Sequence, residues 1–427
     1  MFYRLFFMIG VFFRNKKIFN HLSQLMHSEF YSDELTDSIQ LSKLKFLLEH
    51  AKKNSPFYKE RLSCFSNFDD FKFEDLQKIP LLTKNDFREN IDSIFALNYS
   101  KKDCFISETS GSTGDALIFY RDKDWDAAHR SAIYRGLNSF GVKPWEKSLY
   151  LWGFVFTPLQ VFKMRILDFL QNRKRLFIYN DKNIFYIWKY LQKCSYVEGY
   201  SSVINNIAVL ANEKNIKFPN IKLVKCTSEK IYSSYIDNIK RAFNVSPVSE
   251  YGAAETGIIA FSCPVGKMHV IKENIYLEVV DGKAVVTNLN SFSMPIIRYD
   301  LGDYISMSIQ KCTCGRHSQI VDDVLGRVGR NILGDKKEYP SLTLYYVFKY
   351  LALEKNILLS YQAVQNEKGK LEVSIFDAPH GAKVIDLDLE ILKAFEVYFE
   401  SDLSVHLSFI SDYNRTGKLK DFISNMN

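Results

Sequence analysis

Proline and glycine are scarce in this sequence, and no repeats or low-complexity tracts interrupt it. The chain has only 10 prolines and 19 glycines among 427 residues, which argues against long disordered segments. No periodicity fits a solenoid, a collagen or a coiled coil. With 47% hydrophobic and 25% charged residues, the chain is long enough for one large core and a smaller second domain.

Long hydrophobic runs are also missing. The apolar run at the N-terminus is interrupted by Arg4 and ends at Phe13, so it is too short to span a bilayer as a helix. The residues Arg14-Asn15-Lys16-Lys17 follow it, where a signal peptide would need a small-residue cleavage site. Two interpretations stay open: a helix packed on the protein body, which we favour, or a segment lying in a membrane surface.

Neither the cysteine count nor the net charge identifies the chain as a disulfide-rich secreted protein or a nucleic-acid-binding protein. An odd count of 7 cysteines at irregular spacing does not form a disulfide framework, which indicates a reducing cytoplasm. The net charge of +7 is spread along the chain and fits an anionic substrate such as ATP, an anionic membrane or an ordinary solvated surface. Without a recognition-helix finger or a concentrated basic stripe, we expect no nucleic-acid partner.

Hydrophobic periodicity predicts an α/β fold. Helices are expected at 38–63, Asp181–Lys193, Ser202–Lys214, Ser233–Phe243 and Leu387–Tyr398, and strands at Lys222–Cys226, Pro247–Ser249 and Leu371–Phe376. Ile275–Val280, an Asp281-Gly282 turn and Ala284–Thr287 indicate a hairpin. The alternation predicts a large, layered N-terminal domain with mixed sheets and helices at residues 1–326, followed by a small α+β domain at 327–427.

A loop rich in hydroxyl groups and glycine is the first candidate site. Residues 107–114 read Ser-Glu-Thr-Ser-Gly-Ser-Thr-Gly and lie between a short apolar segment, Cys104–Ile106, and the strand-like Leu117–Tyr120. Glycines at 111 and 114 allow a turn whose N–H groups bind a phosphate. It is not a Walker loop, because no Gly-Lys-Ser/Thr enters a helix. A hairpin loop without a ligand explains the same residues equally well.

Further motifs follow in a fixed order. They are Tyr251-Gly252-Ala253-Ala254-Glu255, Arg298-Tyr299-Asp300-Leu301-Gly302-Asp303, Gly326-Arg327 and Asn414-Arg415-Thr416-Gly417-Lys418. Together with Thr109–Gly114, they resemble the adenylate-forming (AMP-binding) superfamily. The resemblance is to its phenylacetate–CoA ligase-like family, in the capsular polysaccharide biosynthesis branch. It runs from about Leu41 to Phe422 and includes the stretches Ser55-Pro56-Phe57-Tyr58 and Ile79-Pro80-Leu81-Leu82-Thr83-Lys84.

The resemblance implies an acyl-CoA synthetase-like fold and a role for each motif. The loop Thr109, Ser110, Gly111, Ser112, Thr113 and Gly114 would hold the ATP β- and γ-phosphates. Tyr251 would stack on adenine, beside Gly252, and Asp303 would bind the ribose hydroxyls. Glu255 would hold Mg²⁺, and Arg327 would lie beside the ribose and the hinge. Lys418 would stabilise the charge at the carboxylate and α-phosphate.

Two pairs of soft ligands indicate a structural zinc site in the β segment at about 260–316. Five residues separate Cys263 from His269, and one residue separates Cys312 from Cys314. Four such side chains can complete a closed tetrahedral zinc site. Some members of the resembled family carry comparable ligands. His317 competes with His269 for the fourth place, and a set of reduced, half-buried thiols is the alternative to a metal site.

The function implied by the resemblance is ATP-dependent activation of a carboxylic acid as its acyl-adenylate, in the cytoplasm or at the inner face of the membrane. CoA or an amine such as an amino sugar would then accept the acyl group in surface polysaccharide synthesis. One departure bears on CoA: Arg330 stands where the family has a hinge aspartate. The alternative is a non-catalytic nucleotide- or acyl-binding protein on a degenerate ligase scaffold.

Overall fold

The computed structural model describes most of the chain. The described residues are 2–108, 117–151, 158–176, 181–327, 331–339, 341–355, 357, 359–376, 384–410 and 421–426. The expected phosphate loop, Thr109–Gly114, lies outside them, as do Arg330 and Lys418.

The helices occur in every part of the chain. In chain order they are α1 Phe2–Asn15, α2 Lys17–Ser28, α3 Asp33–Asn54, α4 Pro56–Arg61, α5 Lys84–Glu89, α6 Ile91–Ile94, α7 Lys123–Ser139, α8 Pro158–Leu170, α9 Asp181–Leu191, α10 Ser201–Glu213, α11 Ser233–Phe243, α12 Leu342–Glu354 and α13 Val384–Phe399. Short 3₁₀ turns occur at Phe73–Lys78 and Lys101–Asp103.

The first two strands pair with each other in a separate antiparallel sheet. In chain order the strands are β1 Phe105–Glu108, β2 Ile118–Arg121, β3 Ser148–Leu151, β4 Arg173–Leu176, β5 Tyr196–Tyr200, β6 Leu223–Thr227, β7 Pro247–Ala253, β8 Gly257–Ser262, β9 Met268–Val270, β10 Ile275–Val280, β11 Lys283–Asn288, β12 Tyr299–Ser308, β13 Ile320–Arg327, β14 Ile332–Leu333, β15 Glu338–Tyr339, β16 Tyr361–Glu367, β17 Lys370–Ile375, β18 Ser404–Phe409 and β19 Phe422–Ser424.

The chain divides into two compact units. The first unit comprises Met1–Trp145 and Val248–Val324, and the second comprises Glu146–Pro247 and Leu325–Asn427. The predicted α/β fold class is confirmed. The division at 326/327 stays a prediction, since the last hundred residues form a compact unit together with Glu146–Pro247.

The first unit is built on strands in the order β10-β11-β12-β13-β9-β8-β7. The pairs β10–β11, β11–β12, β13–β9, β9–β8 and β8–β7 are antiparallel. The predicted hairpin is present, and its turn residues Asp281 and Gly282 both have positive φ, as a two-residue turn of this kind requires. Helix α3 contributes Leu44, Leu47 and Leu48 to the fully buried core of this unit.

The second unit contains the parallel strands that the helix–strand alternation predicts. Strands β4, β3, β5 and β6 pair in parallel, and helices α9, α10 and α11 supply the apolar side chains that cover them. Residues after Leu325 add a sheet in the order β18-β17-β16-β19. Side chains of α12 and α13 share one hydrophobic core with this sheet. Ser360 Oγ donates to Tyr235 Oη at 2.8 Å, which joins the two halves of this unit.

The N-terminal segment forms a helix that packs on the first unit. Phe7 of α1 lies against Tyr134 and Trp145, and α2 packs along α7. Across the described residues, no helix combines the length and apolarity needed to cross a bilayer.

A buried ion pair joins α7 to the turn between β9 and β10. Arg135 Nη1 lies 2.6 Å from Glu273 Oε1, and Ser28 Oγ donates to the same oxygen at 2.6 Å. Burial alone would raise the pKa of Glu273, but Arg135 and Ser28 outweigh it and hold this pKa below its usual range.

We expect Glu273→Gln to lower the free energy of unfolding at neutral pH by about 3–5 kcal/mol, because it leaves the Arg135 charge buried without its partner. Since the folded-state pKa is lowered, this stabilisation is present above the unfolded pKa of about 4.3 and is lost as the pH falls through the folded value. Urea titrations from pH 7 to pH 3 measure it. Glu367→Gln is the control, because its ion pair with Lys370 is exposed and should contribute little. Equal effects of the two substitutions at pH 7 would contradict the expectation.

Candidate functional site

Two N-terminal segments hold the backbone at the start of β12. The side chain of Ser55 caps α4 at its N-terminus, and Tyr58 within that helix is fully buried. The N–H of Ile297 donates to Tyr58 Oη at 3.3 Å. Leu82 forms a parallel bridge with Tyr299, with N–H to O distances of 2.9 and 3.0 Å on its two sides. The stretches 55–58 and 79–84 thus position the Arg298–Asp303 motif.

Arg298 is a structural residue of that motif. It lies in the left-handed region with φ 51°, which is unfavourable for a residue with a side chain. Its guanidinium is buried and binds Glu278 through two contacts of 3.1 and 3.0 Å. It also donates to the carbonyl oxygen of Ile79 at 2.6 Å. These bonds neutralise a buried charge and fix the direction in which β12 begins.

Tyr251 and Asp303, which the resemblance assigns to one nucleotide, contact each other. Tyr251 is in β7 and Asp303 in β12, strands that are not neighbours in the sheet order. Tyr251 Oη nevertheless donates to Asp303 Oδ2 at 3.1 Å, so the sheet must curve to bring the two strands together. The ring of Tyr251 is buried, and Asp303 is half-buried. A fixed aromatic ring beside a carboxylate provides an apolar surface and a hydrogen-bond acceptor at one place.

Glu255 lies in the turn between β7 and β8 and is buried, with 4% of its surface exposed. Tyr299 Oη donates to Glu255 Oε1 at 3.4 Å, which links this carboxylate to the strand that carries Asp303. Within the described residues, Glu255 forms no ion pair with a cationic side chain. A buried carboxylate requires a compensating positive charge, and a metal ion is one way to supply it.

Gly252 has a steric reason to be glycine that the sequence does not reveal. The β7–β8 pairing shifts register between Tyr251 and Gly252. A Cβ atom at position 252 would lie 2.4 Å from the carbonyl oxygen of Gly257, closer than two such atoms can approach. The expected position of Gly252 beside adenine stays a prediction.

Other expected site residues lie wholly or partly outside the described residues. Thr109–Gly114 and Lys418 lie outside the described residues. Arg327 is the last residue of β13, and its side chain is also outside what the structure describes.

The four predicted soft ligands lie together in the first unit. Cys263 follows β8, His269 is in β9, and Cys312 and Cys314 lie in the turn between β12 and β13. All their ligand atoms are within 4.8 Å of one another, and His269 rather than His317 belongs to the group. Pairing of Ile320 with His269 brings the two cysteine segments together.

The distances suit a tetrahedral metal. Cys263 Sγ lies 3.7 Å from Cys312 Sγ, and Cys314 Sγ lies 3.4 Å from His269 Nε2. Zinc bond lengths in a regular tetrahedron would place two sulfurs about 3.8 Å apart and a sulfur and a nitrogen about 3.6 Å apart. His269 Nδ1 lies 3.2 Å from the carbonyl oxygen of Ser318, a contact that leaves Nε2 as the free ligand atom.

The local electrostatics favour the ligand forms of His269 and Cys314 and disfavour that of Cys263. Burial lowers the pKa of His269, which favours the neutral ring. For Cys314, burial opposes ionisation, but hydrogen bonds from Arg316 outweigh it and lower the pKa. Burial raises the pKa of Cys263 to about 11. A bound cation would favour its thiolate.

Arg316 is a supporting residue that the sequence analysis did not identify. Its guanidinium binds Glu29 and donates to Ser139 Oγ at 3.0 Å. It also lies over the Phe30 ring, 5.5 Å from its centroid. These contacts hold the cysteine loop against the end of α2 and against α7. The only sequence signal was its place in the run Cys312-Thr313-Cys314-Gly315-Arg316.

We expect Gly252→Ala to displace the β7–β8 hairpin, because the new methyl group meets backbone that cannot rotate away. The free energy of unfolding should fall by about 1–3 kcal/mol, measured by urea titration. Gly10→Ala is the matched control, since beyond the neighbouring backbone of α1 itself nothing lies within 4 Å of its Cβ position. A Gly252→Ala protein as stable as the wild type would show that the close approach is absent.

Some known proteins are similar to this chain in sequence or in fold. No family model matches the chain. It is 24% identical to Protein CapK of Staphylococcus aureus over 423 residues, covering 92% of this chain and 90% of that protein. It is 32% identical to phenylacetate-coenzyme A ligase of Escherichia coli K12 over 126 residues, or 29% of this chain and 28% of the other.

Among solved structures, 2-hydroxyisobutyryl-CoA ligase in the postadenylation state has the same fold. The TM-score is 0.71 at 17% identity, over 93% of this chain and 91% of that one. That structure is a complex with R3-HIB-AMP. The chain thus has the fold of 2-hydroxyisobutyryl-CoA ligase, and in sequence it is similar to Protein CapK over most of its length and to phenylacetate-coenzyme A ligase over part of it.

Proposed function

We propose that this protein activates a carboxylic acid with ATP, forming an acyl-adenylate and pyrophosphate. An oxygen of the acid's carboxylate attacks the α-phosphorus of ATP, and the bond from that phosphorus to the oxygen bridging it to the β-phosphorus breaks. The observation that carries the proposal is the contact between Tyr251 and Asp303, two predicted nucleotide ligands from strands that are not neighbours.

The adenosine end of ATP would bind at these two residues. By resemblance, adenine would stack on the Tyr251 ring, and the Tyr251 hydroxyl holds the Asp303 carboxylate in place. Asp303 is half-buried, so it remains accessible to the ribose hydroxyls. Tyr251 and Asp303 would act by positioning the nucleotide, because binding the adenosine end fixes the α-phosphorus relative to the attacking oxygen.

Glu255 would hold Mg²⁺ against the phosphates. Its buried carboxylate lacks a cationic partner among the residues described, and oxygen ligands suit this ion. When bound, Mg²⁺ would neutralise charge on the triphosphate. Tyr299 would keep the Glu255 carboxylate oriented toward it. By resemblance, Thr109–Gly114 would bind the β- and γ-phosphates, Arg327 would lie beside the ribose, and Lys418 would stabilise the α-phosphate during attack.

The acceptor of the acyl group would be CoA or an amine such as an amino sugar. The structural neighbour 2-hydroxyisobutyryl-CoA ligase supports CoA. Arg330 in place of the hinge aspartate, and the similarity to Protein CapK, favour an amine acceptor in surface polysaccharide synthesis. The protein would work in the cytoplasm, in peripheral contact with the inner face of the cell membrane.

Cys263, His269, Cys312 and Cys314 would bind a structural zinc ion. With four protein ligands the site would be closed, so it would not take part in the reaction. It would contribute roughly 10–16 kcal/mol of apparent binding energy to the order of the loop after β12.

ATP–pyrophosphate exchange over a panel of carboxylic acids tests the adenylation step. At least one acid should support exchange by the wild type. Asp303→Ala and Lys418→Ala should each lower the rate by about a hundredfold or more, because each removes a charged group that positions or stabilises the reacting phosphate. Tyr251→Phe should raise the KM for ATP about tenfold or more, the effect of losing one hydrogen bond to a charged carboxylate.

Lys214→Ala is the control for these variants, because Lys214 is an exposed cation at the end of α10. Its exchange rate should equal that of the wild type. If no acid supports exchange and Lys418→Ala changes nothing, the non-catalytic alternative is correct.

Metal analysis of the purified protein tests the zinc site. We expect about one zinc ion per chain, and Cys312→Ser should lose most of it because three ligands hold the ion far less tightly. Cys64→Ser is the matched control, since Cys64 is an exposed thiol outside the cluster. Zinc-free wild-type protein from zinc-supplemented cells would favour the alternative of reduced thiols.

A further inference from the structure

Helix α1 carries large apolar side chains on two faces. One face packs on the first unit: the Phe7 ring lies 5.4 Å from the Tyr134 ring and 5.6 Å from the Trp145 ring, centroid to centroid. Val11 on the same face is buried beside Ala127 of α7. This face accounts for only part of the apolar side chains of the helix.

Polar contacts at its C-terminal end fix the rotation of α1 about its own axis. Arg14 Nη2 lies 2.9 Å from Asp126 Oδ1. The buried Asn15 side chain donates to the carbonyl oxygen of Lys123 at 2.7 Å. Because both partners belong to α7, the helix is held in one orientation on the body of the first unit.

The second face is exposed and apolar. Its residues, with their exposed fractions, are Phe2 54%, Leu5 59%, Met8 37%, Ile9 42%, Phe12 58% and Phe13 81%. At 3.6 residues per turn they occupy roughly 140° of the helix circumference, on the side away from Phe7 and Val11. We call these six residues the α1 outer face. A contiguous apolar patch of this kind marks an interaction surface.

Helix α2 shows that the outer face is not a general feature of the N-terminal region. Like α1, helix α2 packs against α7. Its exposed residues, however, are Lys17, Asn20, Ser23, Gln24 and His27. An ordinary solvated helix carries polar residues of this kind on its outer side, and α1 does not.

The charge around the outer face selects the partner. Residues 1–28 contain Arg4, Arg14, Lys16 and Lys17 and no acidic residue. Arg14 and Lys17 pair with Asp126 and Asp124 of α7, so Arg4 and Lys16 supply the positive charge that these ion pairs leave over. An anionic lipid surface complements this charge, whereas a second copy of the same helix would bring the same cations together. At about 1.5 Å per residue, 14 residues extend only about 21 Å, too short to cross a bilayer but suitable for lying in its interface.

We propose that the α1 outer face docks on an anionic lipid membrane, with its phenylalanine, leucine, isoleucine and methionine side chains inserted among the headgroups. This deepens the membrane contact included in the proposed function, and it does not depend on the adenylation chemistry. The contacts of Phe7, Val11, Arg14 and Asn15 would hold the rest of the first unit at a fixed orientation to the lipid surface.

Vesicle flotation of the full-length protein tests the proposal. The wild type should bind phosphatidylglycerol–phosphatidylcholine vesicles, and bind less to pure phosphatidylcholine or at high salt. Ile9→Gln/Phe12→Gln should weaken binding to the anionic vesicles by about tenfold or more, because it removes two inserted apolar groups. Leu97→Gln/Ile309→Gln is the matched control, since these apolar side chains are 76% and 101% exposed elsewhere on the first unit. It should bind like the wild type.

The proposal is overturned if the wild type does not float with anionic vesicles, or if both double variants bind equally. It is also overturned if light scattering shows a wild-type dimer that Ile9→Gln/Phe12→Gln converts to monomer without vesicle binding, because a second copy is then the partner. ATP–pyrophosphate exchange in solution should be unchanged in both variants. Absent exchange with intact vesicle binding would instead count against the proposed function alone.

Discussion

Arg298 carries a positive charge inside the protein, and the groups that neutralise it also determine where β12 begins. Its guanidinium binds Glu278 and the carbonyl oxygen of Ile79, while its backbone adopts a left-handed conformation with φ 51°. That conformation costs roughly 1–3 kcal/mol by itself. It persists because the Leu82 bridge and the Tyr58 hydroxyl hold the flanking backbone on either side. The first part of β12 is therefore fixed by contacts from segments more than two hundred positions earlier in the sequence.

Strand β12 in turn connects the two candidate sites. Near its start, Tyr299 contacts Glu255 and Asp303 accepts from Tyr251, so both carboxylates expected at the nucleotide depend on the same strand. The turn after its end carries the Cys-x-Cys pair of the Cys/His cluster. A structural metal there would stabilise the far end of the strand that holds Asp303, which would give the proposed zinc site a role without any part in the chemistry.

Local sequence patterns predicted the individual helices and strands well, but they predicted few of the contacts between those helices and strands. Helix α11 has the predicted bounds, Ser233–Phe243, because a strong 3.6-residue period marks both of its ends. The Asp281-Gly282 hairpin and the Cys/His cluster also followed from short spacings. The roles of Arg298, Tyr299 and Arg316 did not, since each depends on a partner far away in the sequence. Nor does helical periodicity distinguish the packed face of α1 from its outer face, because both are apolar.

A crystal structure of the protein grown with AMP and magnesium would test the central claim most directly. The claim is that the strands carrying Tyr251 and Asp303 curve together to form a nucleotide site. We predict adenine against the Tyr251 ring and the ribose hydroxyls within hydrogen-bond distance of the Asp303 carboxylate. Nucleotide density elsewhere, with the Tyr251–Asp303 contact facing a closed interior, would contradict it.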